Sequence, residues 1–387
     1  MSAFEAGLLW YCAISLAGLA TYPLLYLATE RLPDRGMSIV RPAGLALVIL
    51  PLWVIGNISG IPFNSWTIAA AAFLLAAPGW WYGHAHSDLM AFVSRNLRTL
   101  LSFEIATVTL FAGYLVFRGF NPDIADTEKP MELAFLNSAI HAGEIPVPDP
   151  WFAGEPINYY YFGYLAMAAV SVVARIPGEV AFNLSLATTF ALATVAGGGL
   201  AYNLNALISG YRRLQNAFAA VLGGFLLTIA GNIHGAISFF RNPDETISAG
   251  WWQGIGWSSS RVIEDSGFDD GSARNVITEF PAFSMILGDL HPHVITYPWL
   301  IMSFALLVNM HQTLIEPAHW SRMIVPGAAI GLAIGILYGS NTWDVPIIVA
   351  TLGMITLSTF RRIDWPKLGA LAAATALATT VAIVPFA

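Results

Sequence analysis

The stretch NYYYFGYLAMAAVSVVARIPGEVAFNLSLATTFALATVAGGGLAYNLNALISGYRR, residues 158–213, decides how this chain is threaded. It holds two apolar runs, 159–173 and 180–208, split by Pro177 and Gly178, and it ends on Arg212 and Arg213. Around it, 56% of the 387 residues are apolar and only 11% are charged, whereas a soluble domain carries roughly 25% charged residues. A soluble enzyme is excluded. Apolar runs also occur at 8–28, 42–61, 66–81, 100–117, 218–237, 294–310, 323–338, 345–360 and 368–387. Most have the length that crosses about 30 Å of hydrocarbon as a helix, so the chain reads as an all-α polytopic membrane protein. The first run lacks a basic leader and a small-residue cleavage signature and is expected to be retained.

Arginine and lysine near span ends are kept on the cytoplasmic side. Arg31, Arg35, Arg41, Arg95, Arg98, Arg212, Arg213, Arg322, Arg361, Arg362 and Lys367 all flank apolar runs. They share one side only if the chain crosses an odd number of times between residue 117 and Arg212. That stretch holds two runs, so one of them does not cross. Run 159–173 is short, opens on three tyrosines and stops before Pro177. It is expected to be a re-entrant or interfacial helix, leaving about ten transmembrane helices with both termini outside. Two long outer loops result, 118–158 and 238–293, and they carry 15 of the 24 acids. The net charge of −7 argues against nucleic acid as a partner. The single cysteine, Cys12, cannot form an intramolecular disulfide.

In the first outer loop, Asp126 or Thr127 can cap a helix over about 128–140, with Pro130 tolerated in its first turn and Gly143 suited to its exit. Leu133, Leu136 and Ile140 form one stripe with Glu132 pointing elsewhere, so the helix is expected to lie on the membrane surface. Asp123, Asp126 and Glu128 would then stand at the mouth of the bundle. A carboxylate there can take a proton from an acceptor, and Asp126 is the first candidate. The alternative is a helix cap flanked by solvated acids. Tyr159, Tyr160, Tyr161 and Tyr164 cover most of one helical turn. They suit substrate contact, or equally an aromatic belt at the membrane surface.

The second outer loop carries Trp251, Trp252, Trp257, Arg261, Arg274 and Glu279, followed by Asp289-Leu-His291-Pro-His293. In extended backbone Asp289, His291 and His293 point to one side. Together they can hold a divalent metal ion, hydrogen-bond a substrate, or only shape the entry of the next span; no cofactor is required. Arg261, Arg274 and Arg175 are the arginines placed to meet phosphate, to which a guanidinium presents a planar fork. Glu104 lies inside a span, where an ionisable residue is a functional candidate by default.

Asn158-Tyr-Tyr-Tyr-Phe-Gly-Tyr-Leu, Thr127-Glu-Lys-Pro-Met-Glu, Pro148-Asp-Pro-Trp-Phe-Ala-Gly-Glu-Pro, Ser259-Ser-Arg-Val-Ile and Glu279-Phe-Pro-Ala-Phe-Ser with Gly288-Asp-Leu-His-Pro-His resemble the uncharacterised bacterial and archaeal YYY-domain membrane proteins. More remotely, the pattern is similar to the GT-C glycosyltransferases, among them protein O-mannosyltransferases and aminoarabinose transferases. That resemblance implies an acidic pair after a span (here Asp126 and Glu128), a surface helix, a second helix that does not cross, and a span ending in arginines. It also implies a GT-C-like core over 99–387, preceded by three additional helices in 1–98.

The expected protein is a glycosyltransferase in a bacterial or archaeal cytoplasmic membrane. It would move sugar from a polyprenyl phosphate to an acceptor on the outer side, with membrane lipids around it. A transporter or flippase would want ionisable groups near the bilayer midplane and paired repeats. A non-catalytic subunit of a larger assembly is the third reading.

Overall fold

The computed structural model describes residues 1–243, 256–265, 274–359 and 365–384, and these form a helical bundle. Among the described residues, seven helical stretches are long and apolar enough to cross a membrane. One of them, Trp320–Thr359, spans 40 residues. A single rod of that length would reach about 60 Å, twice the hydrocarbon thickness. It is instead two helices, α13 (Ile324–Asn341) and α14 (Val345–Thr359), joined by a 3-10 turn at Thr342–Asp344 where Asn341 is extended. α15 (Trp365–Ile383) runs alongside α13 in the same direction: Gly327 faces Leu371, Gly331 faces Thr375, and Gly335 faces Ala382. Two parallel neighbours require α14 to return between them. Glycine at every fourth position lets the backbones touch, and Thr375 and Thr379 donate across the seam to the Gly327 and Gly331 carbonyls at 3.1 and 3.2 Å.

The N-terminal half opens with α1 (Ala3–Ala28), α2 (Val40–Ser59), α3 (Ser65–His86) and α4 (Leu89–Gly119). Gly18 and Gly44 bring α1 and α2 into backbone contact. Glu104, the acid inside α4, pairs with Arg41 of α2 at 2.5 Å and accepts from the Tyr11 hydroxyl at 2.7 Å. Its charge is matched within the bundle, which gives it a structural role.

α7 (Gly178–Ser209) lies antiparallel to α4. Phe103 meets Tyr202, Tyr114 stacks on Phe190, and the Arg118 Nε donates to Asn183 Oδ1 at 2.7 Å. α7 therefore starts at the end where α4 stops. Between them come α5 (Lys129–His141) and α6 (Phe162–Ala174). With 13 residues, α6 is about 20 Å long and too short to cross. It lies between the end of α4 and the start of α7, at one end of the bundle. The short antiparallel pair Ile61–Pro62 with Glu144–Ile145 ties the α2–α3 turn to this same end.

Where one 20-residue span was expected over 218–237, α8 (Arg213–Thr228) stops and α9 (His234–Arg241) follows. Gly231 and Asn232 interrupt the helix, and the Asn232 side chain accepts from the His234 amide at 3.1 Å. Thr228 bonds to Thr194 at 2.9 Å, so α8 ends half way along α7. The second long loop packs over that end, with Phe280 against Gly231. It supplies α10 (Pro281–Leu287) and α11 (Pro292–Ile295) and then leads into α12 (Tyr297–Ile315).

Candidate functional site

α5 begins with Glu128 at its N-cap and Pro130 in its first turn, where a missing amide costs nothing. Its buried stripe is Lys129, Glu132, Phe135, Leu136 and Ala139, not the Leu133, Leu136 and Ile140 stripe expected from the sequence. The helix is accordingly packed on α6 and α7. Glu132, expected to point away, is fully buried. Its Oε2 accepts from the Leu290 amide at 2.8 Å.

Beside Glu132 sits Asp289, 6% exposed, with the two carboxyls in hydrogen-bonding reach of each other. Glu132 Oε1 and Asp289 Oδ1 have no other partner among the described residues. Two ionised carboxylates this close in a buried setting repel strongly. A shared proton or a bound cation resolves the conflict. Burial, and then Asp289, push the Glu132 carboxyl well above the ordinary range. Lys129, also buried, donates to the Ala125 carbonyl at 3.0 Å, and its charge faces Asp289, Asp126 and Glu132.

A second chain of groups leads out from this pair. Gly288 ends α10 in the left-handed conformation, pressed close to the Arg118 guanidinium. Pro292 keeps His291 out of helix and starts α11 immediately after it, so His293 lies in a helical turn and not in the extended strand expected. The rings still meet: His291 Nδ1 and His293 Nδ1 are 2.8 Å apart, one donating and one accepting. His291 Nε2 reaches Glu128 at 2.8 Å, and His293 Nε2 reaches Glu279 at 3.1 Å. A continuous line Glu128–His291–His293–Glu279 joins the two long loops. Burial and the neighbouring His293 lower the pKa of His291, and the hydrogen bond from His293 lowers that of Glu279.

Glu279, Ser284, His293, Tyr297 and Asp344 line a cavity of 180 Å³. Glu279, Asp289 and His293 each present one ligand atom within 4.8 Å of the others. Among the described residues this is the group whose geometry could hold a divalent ion; it shares Asp289 and His293 with the expected set, while His291 turns its Nε2 toward Glu128. The partnerless Asp289 oxygen suits such an ion, as do two hard carboxylates and an imidazole.

The remaining expected residues divide. Tyr159 stacks on Phe135 at 5.2 Å; Tyr160 lies against it, half-buried. Tyr161 is buried against Trp53, and Tyr164 donates to the Leu290 carbonyl at 3.0 Å. Most of the tyrosine motif thus builds the wall behind the acid pair. Arg261 lies over the Trp257 ring at 3.4 Å, its charge facing Glu279. Asp126 is exposed in left-handed backbone, and Asp123 is exposed with its carbonyl accepting from Arg118 at 2.7 Å. Arg175 is exposed at the left-handed end of α6, and Arg274 is exposed on a short strand paired with Asp265. Neither arginine lines the 180 Å³ cavity. Trp251, Trp252, Asp244, Glu245, Asp269 and Asp270 lie outside the described residues.

Sequence reasoning did not single out Lys129, Glu132, Ser284, Asp344 or Arg118 as site residues. Glu132 had a signal: it shares the i, i+3, i+4, i+7 stripe with Phe135, Leu136 and Ala139. Asp344 had one too, as an acid between two apolar runs.

A groove of 590 Å³ opens next to the cluster, between the ends of α1, α4 and α7. Its walls include Leu115, Ile124, Leu133 and Leu184, with Arg118 and Asp123 also lining it.

The family described as "Uncharacterized membrane protein (DUF2298)" matches residues 47–387. No curated protein and no solved structure matches the chain.

Proposed function

We propose, for a chain that belongs to the DUF2298 family of uncharacterized membrane proteins, a transferase that takes a sugar from a polyprenyl phosphate and passes it to an acceptor at the outer membrane face. The observation that carries this reading is the line Glu128–His291–His293–Glu279. It sets acid–base groups from both long loops beside a 180 Å³ cavity and near an apolar groove. The groove suits a lipid chain, and the cavity suits a polar headgroup. The GT-C resemblance, with a core over 99–387, supports the same chemistry.

In this mechanism an acceptor oxygen attacks the anomeric carbon, and the bond to the polyprenyl phosphate breaks with its electron pair leaving on phosphate. The acceptor proton passes to Glu128, the one acid of Asp123, Asp126 and Glu128 that is paired with the second loop among the described residues. His291 holds that carboxylate in place. Arg261, kept flat on Trp257, faces the developing phosphate charge. A divalent ion on Glu279, Asp289 and His293 would supply further stabilisation of that charge. A single displacement inverts the anomeric centre.

The test is release of polyprenyl phosphate from a panel of labelled polyprenyl-phosphate sugars by purified protein. General-base removal costs roughly 100-fold or more, so Glu128→Gln should fall by that factor and Asp126→Asn by far less. The reverse order would move the base to Asp126. Absence of turnover with every donor would overturn the transferase.

A further inference from the structure

On the other half of the bundle, α4, α7 and α8 leave a membrane-facing groove of 640 Å³. Phe103, Val195 and Tyr202 form its floor, a small packed cluster apart from the main core. Ala106, Leu110, Val221 and Phe225 make its apolar walls. One end is polar: Arg98 and Arg213 flank it, and Thr99 and Tyr211 are hydrogen-bonded there at 3.2 Å. This is the arginine-rich end of the molecule, where Asn203 of α7 bonds to Asp34 in the α1–α2 loop.

Several arginines at this end are already matched. Arg31 pairs with Glu316, Arg95 with Asp88, and Arg322 with Glu30. Arg98 and Arg213 are exposed, and neither has a carboxylate partner among the described residues. From Arg98 to Leu110 the helix rises about 18 Å, a little over half of the roughly 30 Å hydrocarbon core. The groove is therefore one leaflet deep, apolar along its length and cationic at the headgroup level.

We propose that this groove holds one anionic phospholipid of the leaflet at the arginine-rich end, with its phosphate between Arg98 and Arg213 and an acyl chain along Phe103 to Leu110. The site is separate from the acid–histidine cluster and does not depend on what that cluster does. Fixing a lipid here would brace α8, which is short and stops half way along α7.

The experiment is native mass spectrometry of the full chain in neutral detergent, titrated with dioleoyl phosphatidylglycerol or dioleoyl phosphatidylcholine. Each arginine near an anionic surface contributes enough that phosphatidylglycerol should bind roughly tenfold tighter or better. The double variant Arg98→Gln/Arg213→Gln changes only exposed side chains and should bring phosphatidylglycerol down to the phosphatidylcholine level. Thr109→Trp, which fills the apolar part, should weaken both lipids. Glycerol 3-phosphate should not displace bound phosphatidylglycerol. Unchanged phosphatidylglycerol binding in both variants, or displacement by glycerol 3-phosphate at equal concentration, would overturn the lipid site.

Discussion

Glu132 and Leu290 are 158 positions apart, yet the carboxylate of one accepts the backbone amide of the other at 2.8 Å in a fully buried setting. That contact, with Asp289 alongside, fastens the first long loop to the second and places the cluster built around them.

Because burial and Asp289 raise the Glu132 carboxyl well above its ordinary range, a neutral amide should replace it well. Glu132→Gln keeps an acceptor for Leu290 and is expected to unfold within about 1 kcal/mol of the parent. Glu132→Ala strands that amide and should cost about 1–3 kcal/mol. Thermal unfolding in detergent reads both; a Gln variant as damaged as the Ala variant would mean that the charge itself is needed.

Divalent ion binding should depend on Glu279 and His293. After chelator treatment, calorimetric titration with Mn²⁺ is expected to show one site, weakened at least roughly tenfold in His293→Ala and in Glu279→Gln, on the scale seen when metal-site shells are altered. Equal affinity in all three proteins would remove the ion from the cluster.

At the opposite end, Arg322 bonds to Glu30 and joins the α1–α2 loop to the α12–α13 loop. That hydrogen bond holds the Glu30 carboxyl below its ordinary value of 4.5. The stabilisation is therefore present above pH 4.5 and is lost as pH falls through the lowered value. Glu30 is 45% exposed, so the effect stays under about 1 kcal/mol. The melting-temperature gap between the parent and Glu30→Gln should shrink between pH 7 and pH 4; a gap that widens on acidification would contradict the pairing.

The α13–α15 seam leaves no room for a side chain at Gly331, which sits against the Thr375 carbonyl. Gly331→Leu is expected to cost about 1–3 kcal/mol by overpacking. Gly353 of α14 faces open space, and Gly353→Leu should be neutral or slightly stabilising because leucine favours helix. Equal losses at both positions would argue against a tight seam.

The apolar helices were largely legible, because run length is a one-dimensional property, although about ten spans were expected and seven helical stretches among the described residues are long and apolar enough to cross. The 13-residue α6, bounded by Arg175 and Pro177, is the clearest case. Depth was not legible. Glu132 looked like a surface acid because isolated carboxylates avoid burial, and only the meeting with Leu290 and Asp289 explains its place. His291 and His293 were rightly read as neighbours, but their partners Glu128 and Glu279 come from folding two loops together, which no local spacing encodes. The end of α8 at Thr228 was missed because an apolar count passes over Gly231 and Asn232.

The measurement that bears most directly on a single site shared by both loops is a double-mutant cycle on kcat for sugar release, using Glu128→Gln, Glu279→Gln and the two combined. Residues acting as one unit are strongly non-additive. The double variant should be no slower than the slower single variant, with each single loss roughly 100-fold. Losses that multiply, or single variants that turn over at the parent rate, would show that the two loops do not form one catalytic centre.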